Sequence, residues 1–483
     1  MSLTRQVAQN TIIQAIGKIG GTALGAIAAF FLFRYLGDYH YGEYTTIMVY
    51  MQIFGILIDL GLFIVMIKNI SETRTHEETN KLVNNIFTFR LVTGLGFLIT
   101  AIIISWFIPS YNLIIRWGIA IASIDYLFLT LSQILMAVYQ KHMAMGRVAI
   151  AEIISKLFLF GSTLSVIYIF KTSLLTVVMA VALTAVINFS ILYLGALKYY
   201  RVRLAFDFDV WKKIFGQSWP MALSISLNML YFKADTLMLG WFKPQTDVGI
   251  YGAAYKILEV IITLPAMFVG LVMPVLTRSF ANHDMEKFKK VFQRSFDALC
   301  LIVLPMIAGT MVVAKPLMLL LAGDKFTVEK DALGICLQIL IWAVGFIFIG
   351  TLTGYLIVIL NKQKAAIKAY GFVAATALIG YFIFIPRYSY YGAAAVTVYS
   401  EAVMMLFGFY YLYKVTKIFP QFNIFFRAAF ASLIMAFVLW ILPSWNVLIL
   451  IGIGMAVYAL SIYFFKGISK QDILEITSLK NNG

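Results

Sequence analysis

Long apolar runs free of charge alternate with short polar turns along this chain. Residues 91–115, 172–197, 332–361 and 428–465 contain no Asp, Glu, Lys or Arg. A helix crossing a bilayer needs about 20 apolar residues. The last run holds two such lengths, with a turn at Leu442, Pro443, Ser444, Trp445 and Asn446 between them. The runs are continuous, whereas barrel strands alternate over about ten residues. The pattern therefore predicts an all-α integral membrane protein with about 14 transmembrane helices. They cover residues 11–36, 44–67, 84–107, 112–139, 147–170, 173–198, 214–241, 249–277, 296–321, 333–360, 366–385, 391–413, 424–442 and 446–465. The longest connections, near 68–82, 199–213, 278–295 and 322–332, leave no room for a large soluble domain.

Composition supports this pattern. The chain is 62% hydrophobic and 12% charged, with mean hydropathy +0.89. Soluble domains carry about 25% charged residues. Ala26, Ile27 and Ala28 resemble a signal cleavage site, but the apolar run continues through Phe33 and only Arg5 precedes it. The first span is thus expected to be retained. With the N-terminus in the cytoplasm, most of the 38 Lys and Arg residues fall in cytoplasmic segments. Acidic residues show no comparable bias, which is the positive-inside pattern. Both termini are expected in the cytoplasm. The net charge of +16 is spread over loops facing anionic headgroups, so no nucleic-acid partner is expected. Cys300 and Cys336 lie in apolar spans without metal spacing, and His40, His76, His142 and His283 are isolated. No metal, cofactor or catalytic residue is expected, and no GxxxxGK[ST] motif indicates nucleotide use.

Polar residues inside the spans change the picture. A charge at mid-bilayer costs about 2.5–3.5 kcal/mol on insertion scales. Asp59, Asp125, Asp235, Glu259 and Glu401 lie near span centres, and Lys18, Lys233 and Lys256 lie well inside. Several form stripes at helical spacing. These are Asn10–Gln14–Lys18–Gly21–Gly25, Thr45–Met48–Gln52–Gly55–Asp59, Ser224–Asn228–Tyr231–Asp235 and Gly252–Lys256–Glu259–Thr263. Several wet faces predict a central aqueous cavity, where transporters bind cargo. Structural pairing is the competing explanation. Lys256 and Glu259 at i,i+3, and Glu152 and Lys156 at i,i+4, are spaced to neutralise each other. Lys18 and Arg90 lie near span ends and can snorkel. Lys233 and Asp235, two apart, are expected on different sides of their helix. Gly17, Gly21 and Gly25 have the spacing of a close helix contact. Pro220, Pro265, Pro274 and Pro305 supply bends in or near the ends of three spans.

A repeat is visible. Leu36-Gly37, a polar turn and Gly42-Glu43-Tyr44 join the first two spans. Leu239-Gly240, a polar turn and Gly249-Ile250-Tyr251 join the seventh and eighth. This predicts two pseudo-symmetric six-helix bundles, 1–205 and 206–413, followed by 414–483 with two more spans and a short cytoplasmic tail.

The residues also carry a resemblance. The segment from Leu36-Gly37 to Tyr44, followed by Asp59-Leu60-Gly61-Leu62, resembles bacterial polysaccharide-repeat (O-antigen, Wzx-type) flippases. The same holds for Met273-Pro274-Val275-Leu276-Thr277-Arg278-Ser279-Phe280 and Leu321-Ala322-Gly323-Asp324-Lys325-Phe326. It holds also for Ile385-Pro386-Arg387-Tyr388 with Tyr391-Gly392-Ala393-Ala394-Ala395. The superfamily includes multidrug/toxin extruders and lipid II flippases. The resemblance implies a non-enzymatic flippase of the bacterial cytoplasmic (inner) membrane. Its cargo would be undecaprenyl-pyrophosphate-linked oligosaccharide, moved by rocking two bundles, with polymerase or assembly proteins as further partners. A diphosphate in a partly dehydrated site needs charge compensation. The candidates are Lys18, Arg34, Arg90, Lys156, Lys233 and Lys256. Gln52, Asp59, Asn228, Asp235, Glu259 and Glu401 are candidate polar or ion-coupling residues, for H+, Na+ or the membrane potential. A cation-coupled drug exporter of the same fold is the alternative. A membrane polymerase or glycosyltransferase would need a larger external loop than any present.

Overall fold

The computed structural model describes residues 3–59, 61–73, 75–170, 173–323, 330–360, 362–442 and 445–465. Side chains of 3–16, 18–19, 64, 170, 220–231, 330, 363 and 364 lie outside that description. Helix accounts for nearly all of the described chain, and no strand occurs among the described residues. The chain divides into two compact units, Met1–Gly252 and Ala253–Gly483.

The first unit contains α1 (Leu3–Asp59), α2 (Leu62–Glu72), α3 (His76–Trp106) and α4 (Leu113–Lys141). It continues with α5 (Met145–Ser165), extended by a π-helical turn at Val166–Phe170, then α6 (Leu174–Ala196) and α7 (Phe208–Phe242). The start of α8 (Gln245–Ile261) completes it. The second unit contains the rest of α8, α9 (Thr263–Ala281), α10 (Met285–Ala322) and α11 (Lys330–Ile359). It ends with α12 (Gln363–Thr416), α13 (Asn423–Ile441) and α14 (Val447–Phe464). Eleven of these helical stretches are long and apolar enough to cross a membrane.

Two of them fold back on themselves. Gly37 in α1 has φ 74°, ψ −178°, a region that glycine enters without steric penalty. Phe33 and Tyr41 are eight residues apart yet their rings lie 5.4 Å apart. A straight helix would separate them by about 12 Å along its axis. The turn expected between the first two spans is thus one glycine wide. Ser389 in α12 has φ 50°, ψ −132°. Around it Tyr381 Oη and Thr397 Oγ1 come within 3.4 Å, although sixteen residues separate them. Five helix starts carry their own signals. Thr75 and Glu78 form a capping box, and Asn112, Asp207, Asp284 and Asn446 cap α4, α7, α10 and α14 through their side chains. Such caps satisfy amide groups that a helix end leaves without partners.

In the first unit one core joins α2–α7 through Leu62, Ile86, Ile134, Val138 and Ile214. A second joins α1, α3, α4 and α6 through Ile47, Met51, Leu98, Ile119 and Val178. Gly17 and Gly21 pack on α5, where an added Cβ would lie 2.6 Å from Ala149 and 2.9 Å from Glu152. Gly25 has open space, so the glycine face is a close contact at two of its three positions. In the second unit α10, α13 and α14 share a core through Val313, Met435, Leu439 and Leu450. Pro274 lies inside α9, and Pro305 and Pro316 inside α10.

Candidate functional site

Arg90 on α3 is fully buried, where sequence spacing allowed it to snorkel. Its Nη2 donates to Asp59 Oδ1 at 2.5 Å and to Gln133 Oε1 on α4. Its Nε and Nη1 have no hydrogen-bond partner among the described residues. A buried donor left unmade costs about 1–3 kcal/mol, so this guanidinium is neutralised but incompletely bonded. Asp59 is the last residue of α1, and its side chain keeps 24% exposure. Just beyond it Gly61 takes a left-handed conformation before α2 starts. The ion pair thus sits where an apolar helix is interrupted.

Asp235 on α7 is also fully buried, but richly bonded. Tyr251 Oη donates to Oδ2 at 2.6 Å, and the Thr236 amide and hydroxyl donate to Oδ1 at 2.5 and 3.1 Å. Lys233, itself buried, acts on it electrostatically. The two residues, expected on different sides of their helix, are both buried and within electrostatic reach of each other. Tyr251 belongs to the second copy of the repeat motif. It ties the start of α8 to α7, a role that helical periodicity alone does not reveal.

The remaining candidates are dispersed. Lys156 on α5 is half-buried and within electrostatic reach of Asp125 on α4. Glu152, one turn earlier, lines Gly21. Arg34 is exposed and Gln52 half-buried. In the second unit Lys256 and Glu259 form the pair their spacing allowed, Nζ to Oε2 at 2.9 Å, each about one-third exposed. Glu401 is buried on α12, within electrostatic reach of Tyr370. The side chains of Lys18 and Asn228 lie outside the described residues. Among the described residues no group of three or more His, Cys, Asp or Glu could hold a metal ion.

A second feature unites the two repeat motifs. A Cβ on Gly42 would lie 1.7 Å from the Gln245 carbonyl oxygen. A Cβ on Gly249 would lie 1.9 Å from the Asp38 carbonyl oxygen. Each glycine faces the carbonyl four residues before the other. The contact is therefore reciprocal, backbone against backbone. Thr46 Oγ1 donates to Gln245 Oε1 at 2.7 Å beside it, and a Cβ on Gly252 would meet Thr45 at 2.7 Å. Only residues without side chains permit helices to approach so closely.

Comparison with known proteins fits this architecture. Residues 7–280 match the family described as polysaccharide biosynthesis protein. The chain belongs to the polysaccharide biosynthesis protein family. Residues 220–385 of this family member also match the MatE family. It is 24% identical over 310 residues to the capsular polysaccharide biosynthesis protein CapF of Staphylococcus aureus, covering 61% of this chain and 74% of that protein. It is 25% identical over 273 residues to the probable low-salt glycan biosynthesis flippase Agl15 of Haloferax volcanii, covering 56% of this chain and 57% of that protein. Its fold is similar to that of the lipid II flippase MurJ in an inward closed conformation, with TM-score 0.79, 17% identity and 94% and 98% of the two chains covered. An inward-facing multidrug resistance MATE transporter aligns with TM-score 0.70, 14% identity and coverage of 84% and 98%. The membrane-embedded, helical, MATE-like fold expected from the sequence is the fold of this family member.

Proposed function

We propose that this chain flips lipid-linked oligosaccharide repeat units, carried on undecaprenyl pyrophosphate, across the cytoplasmic membrane by alternating access. The observation that carries this reading is the polysaccharide biosynthesis family match over residues 7–280. Basic side chains placed deep in apolar helices support it. Burying a charge is costly unless something compensates it; acids do so here, as Asp59 does for Arg90 and Glu259 for Lys256, and a pyrophosphate arriving from the cytoplasmic leaflet would exchange with them. Lys18, Lys233 and Lys256 are assigned to the glycan diphosphate, with Arg34, Arg90 and Lys156 behind them. Asp59, Asp235, Glu259 and Glu401 hold these bases or couple transport to H+, Na+ or the membrane potential, with Gln52 and Asn228 as polar lining. An apolar groove of about 380 Å³ on the second unit, lined by residues including Pro305, Met306, Gly309, Met435 and Tyr458, suits a polyprenyl tail.

In the orientation set by the basic residues, the seam at Gly42 and Gly249 faces the external side. It closes the path while cargo loads from within, and must part for release. No covalent step is required, so the role is transport. Polymerase and assembly proteins would act on the delivered unit.

Deletion of the gene tests this. The expected result is a lipid-linked repeat unit accumulating on the cytoplasmic leaflet and loss of surface polysaccharide. Unchanged polysaccharide with no accumulating intermediate contradicts it. The MatE match over 220–385 favours a second reading, cation-coupled drug export, which dye efflux from vesicles would reveal.

A further inference from the structure

Residues 200–206 between α6 and α7 carry no regular secondary structure, but they are firmly held. The amides of Arg203, Ala205 and Asp207 donate to Asn84 Oδ1, Thr88 Oγ1 and Asn85 Oδ1 of α3 at 3.0, 2.8 and 2.9 Å. Every second N–H of the strap therefore finds a side-chain acceptor on one helix. Lys81 bonds Asp207 at 2.8 Å, and Val202 is buried in the core beneath. The pinning leaves an unusual surface outward. Leu204, Phe206 and Phe208 are 59%, 62% and 72% exposed. Arg201, Arg203, Lys212 and Lys213 are exposed around them, with Asp209 as the exposed acid.

The strap runs into one face of α7. Phe208, Lys212, Phe215 and Trp219 are exposed at spacings of four, three and four. That is one stripe of a helix. The opposite stripe, Ile214 and Ser218, is buried, with Trp211 packed on Phe89. At 35 residues, α7 is about 52 Å long, against about 30 Å of hydrocarbon. The excess length lets its first turns reach the headgroup level, where the strap's aromatic residues lie beside the exposed Phe215 and Trp219.

We infer that residues 201–215 form an interfacial anchor seated in the headgroup region of an anionic leaflet. Leu204, Phe206 and Phe208 enter the acyl boundary, and Arg201, Arg203, Lys212 and Lys213 contact lipid phosphates. Apolar and basic side chains on one surface are the pattern of interfacial binding, and the basic excess selects anionic lipid. Exposed aromatic side chains ringed by Arg201, Arg203, Lys212 and Lys213 complement an anionic headgroup layer, which favours lipid as the occupant over a soluble protein. The side of the membrane follows the orientation used for the proposed function. The anchor itself does not depend on the cargo.

The test uses the full chain reconstituted in vesicles. Cys300 and Cys336 are buried, so a fluorophore on F206C, or separately on L204C, reports one position. Vesicles of phosphatidylcholine with and without phosphatidylglycerol are compared, using aqueous iodide and lipid brominated near the headgroup as quenchers. The expected result is several-fold stronger quenching by brominated lipid than by iodide when phosphatidylglycerol is present. In R201Q/R203Q/K212Q/K213Q the gain from phosphatidylglycerol should disappear, as it should at about 1 M salt, where the Debye length is near 3 Å. Iodide quenching that is equal in both lipids overturns the proposal. So does the same protection produced by inorganic phosphate with phosphatidylcholine alone, or by a soluble protein fraction in place of lipid. Because the readout is accessibility, failure here leaves the flippase reading standing, and failure of flipping leaves the anchor standing.

Discussion

The glycine seam and the Arg90 ion pair lie in the same unit and are built on opposite terms. At the seam, Gly42 and Gly249 press on each other's helix backbones with less room than a methyl group needs. At Arg90, one nitrogen serves two acceptors while two others are buried without partners among the described residues. The pair lies seventeen residues along from Gly42, about 25 Å in helix. The seam is a contact with no tolerance, which either closes fully or parts. The ion pair holds its charge while leaving donors spare, beside the break at Gly61. The proposed carrier would use both kinds of element: one that seals and one that accepts a new partner.

Substitutions can break this contrast. Gly42→Ala has the largest expected effect. Overpacking usually costs about 1–3 kcal/mol, and here the obstacle is backbone, so about 3 kcal/mol or more of the closed seam should be lost. Aqueous maleimide should then label T45C several-fold faster than in the unsubstituted background. Arg90→Met should cost about 3 kcal/mol, the low end for breaking a buried pair, because Asp59 is only partly buried. Buried Cys300 and Cys336 make thiol-dye melting a direct readout. Pairing it with Asp59→Leu should recover most of the loss. Equal losses in the single and double variants would show that the pair is not what Arg90 contributes.

Tyr251→Phe removes one charge-assisted bond from Asp235 and should cost about 2 kcal/mol. That separates the fully bonded acid from the partly bonded base at Arg90. Thr46→Val deletes a side-chain bond across the seam and should cost about 1 kcal/mol, clearly less than Gly42→Ala. If Thr46→Val proves the more damaging, the seam is held by its side chains and not by backbone approach.

Much of this was legible in sequence, for identifiable reasons. Apolar run length marked the spans because lipid demands it. The Lys256–Glu259 pair was legible because i,i+3 spacing fixes both partners on one helix. Arg90 was not, since Asp59 and Gln133 lie 31 and 43 residues away on other helices. Periodicity reveals which face a residue occupies, and not which helix that face meets. The repeat motif was visible, but its two copies meeting at Gly42 and Gly249 required packing. The strap at 200–206 read as a plain connection. Its only local signal was Asn84-Asn85 in a helix otherwise turning apolar, an expensive pairing unless something bonds to it.

The central claim is that a lipid-linked glycan crosses when the seam opens. The most direct measurement reconstitutes T46C/Q245C in vesicles with a polyprenyl-pyrophosphate oligosaccharide in one leaflet. Arrival in the other leaflet is read by a membrane-impermeant lectin, before and after joining the two thiols with a short cleavable cross-linker. The account predicts transfer in the free protein, arrest when the seam is joined and recovery on cleavage. Transfer at an undiminished rate through the joined seam, or none in the free protein, would contradict it.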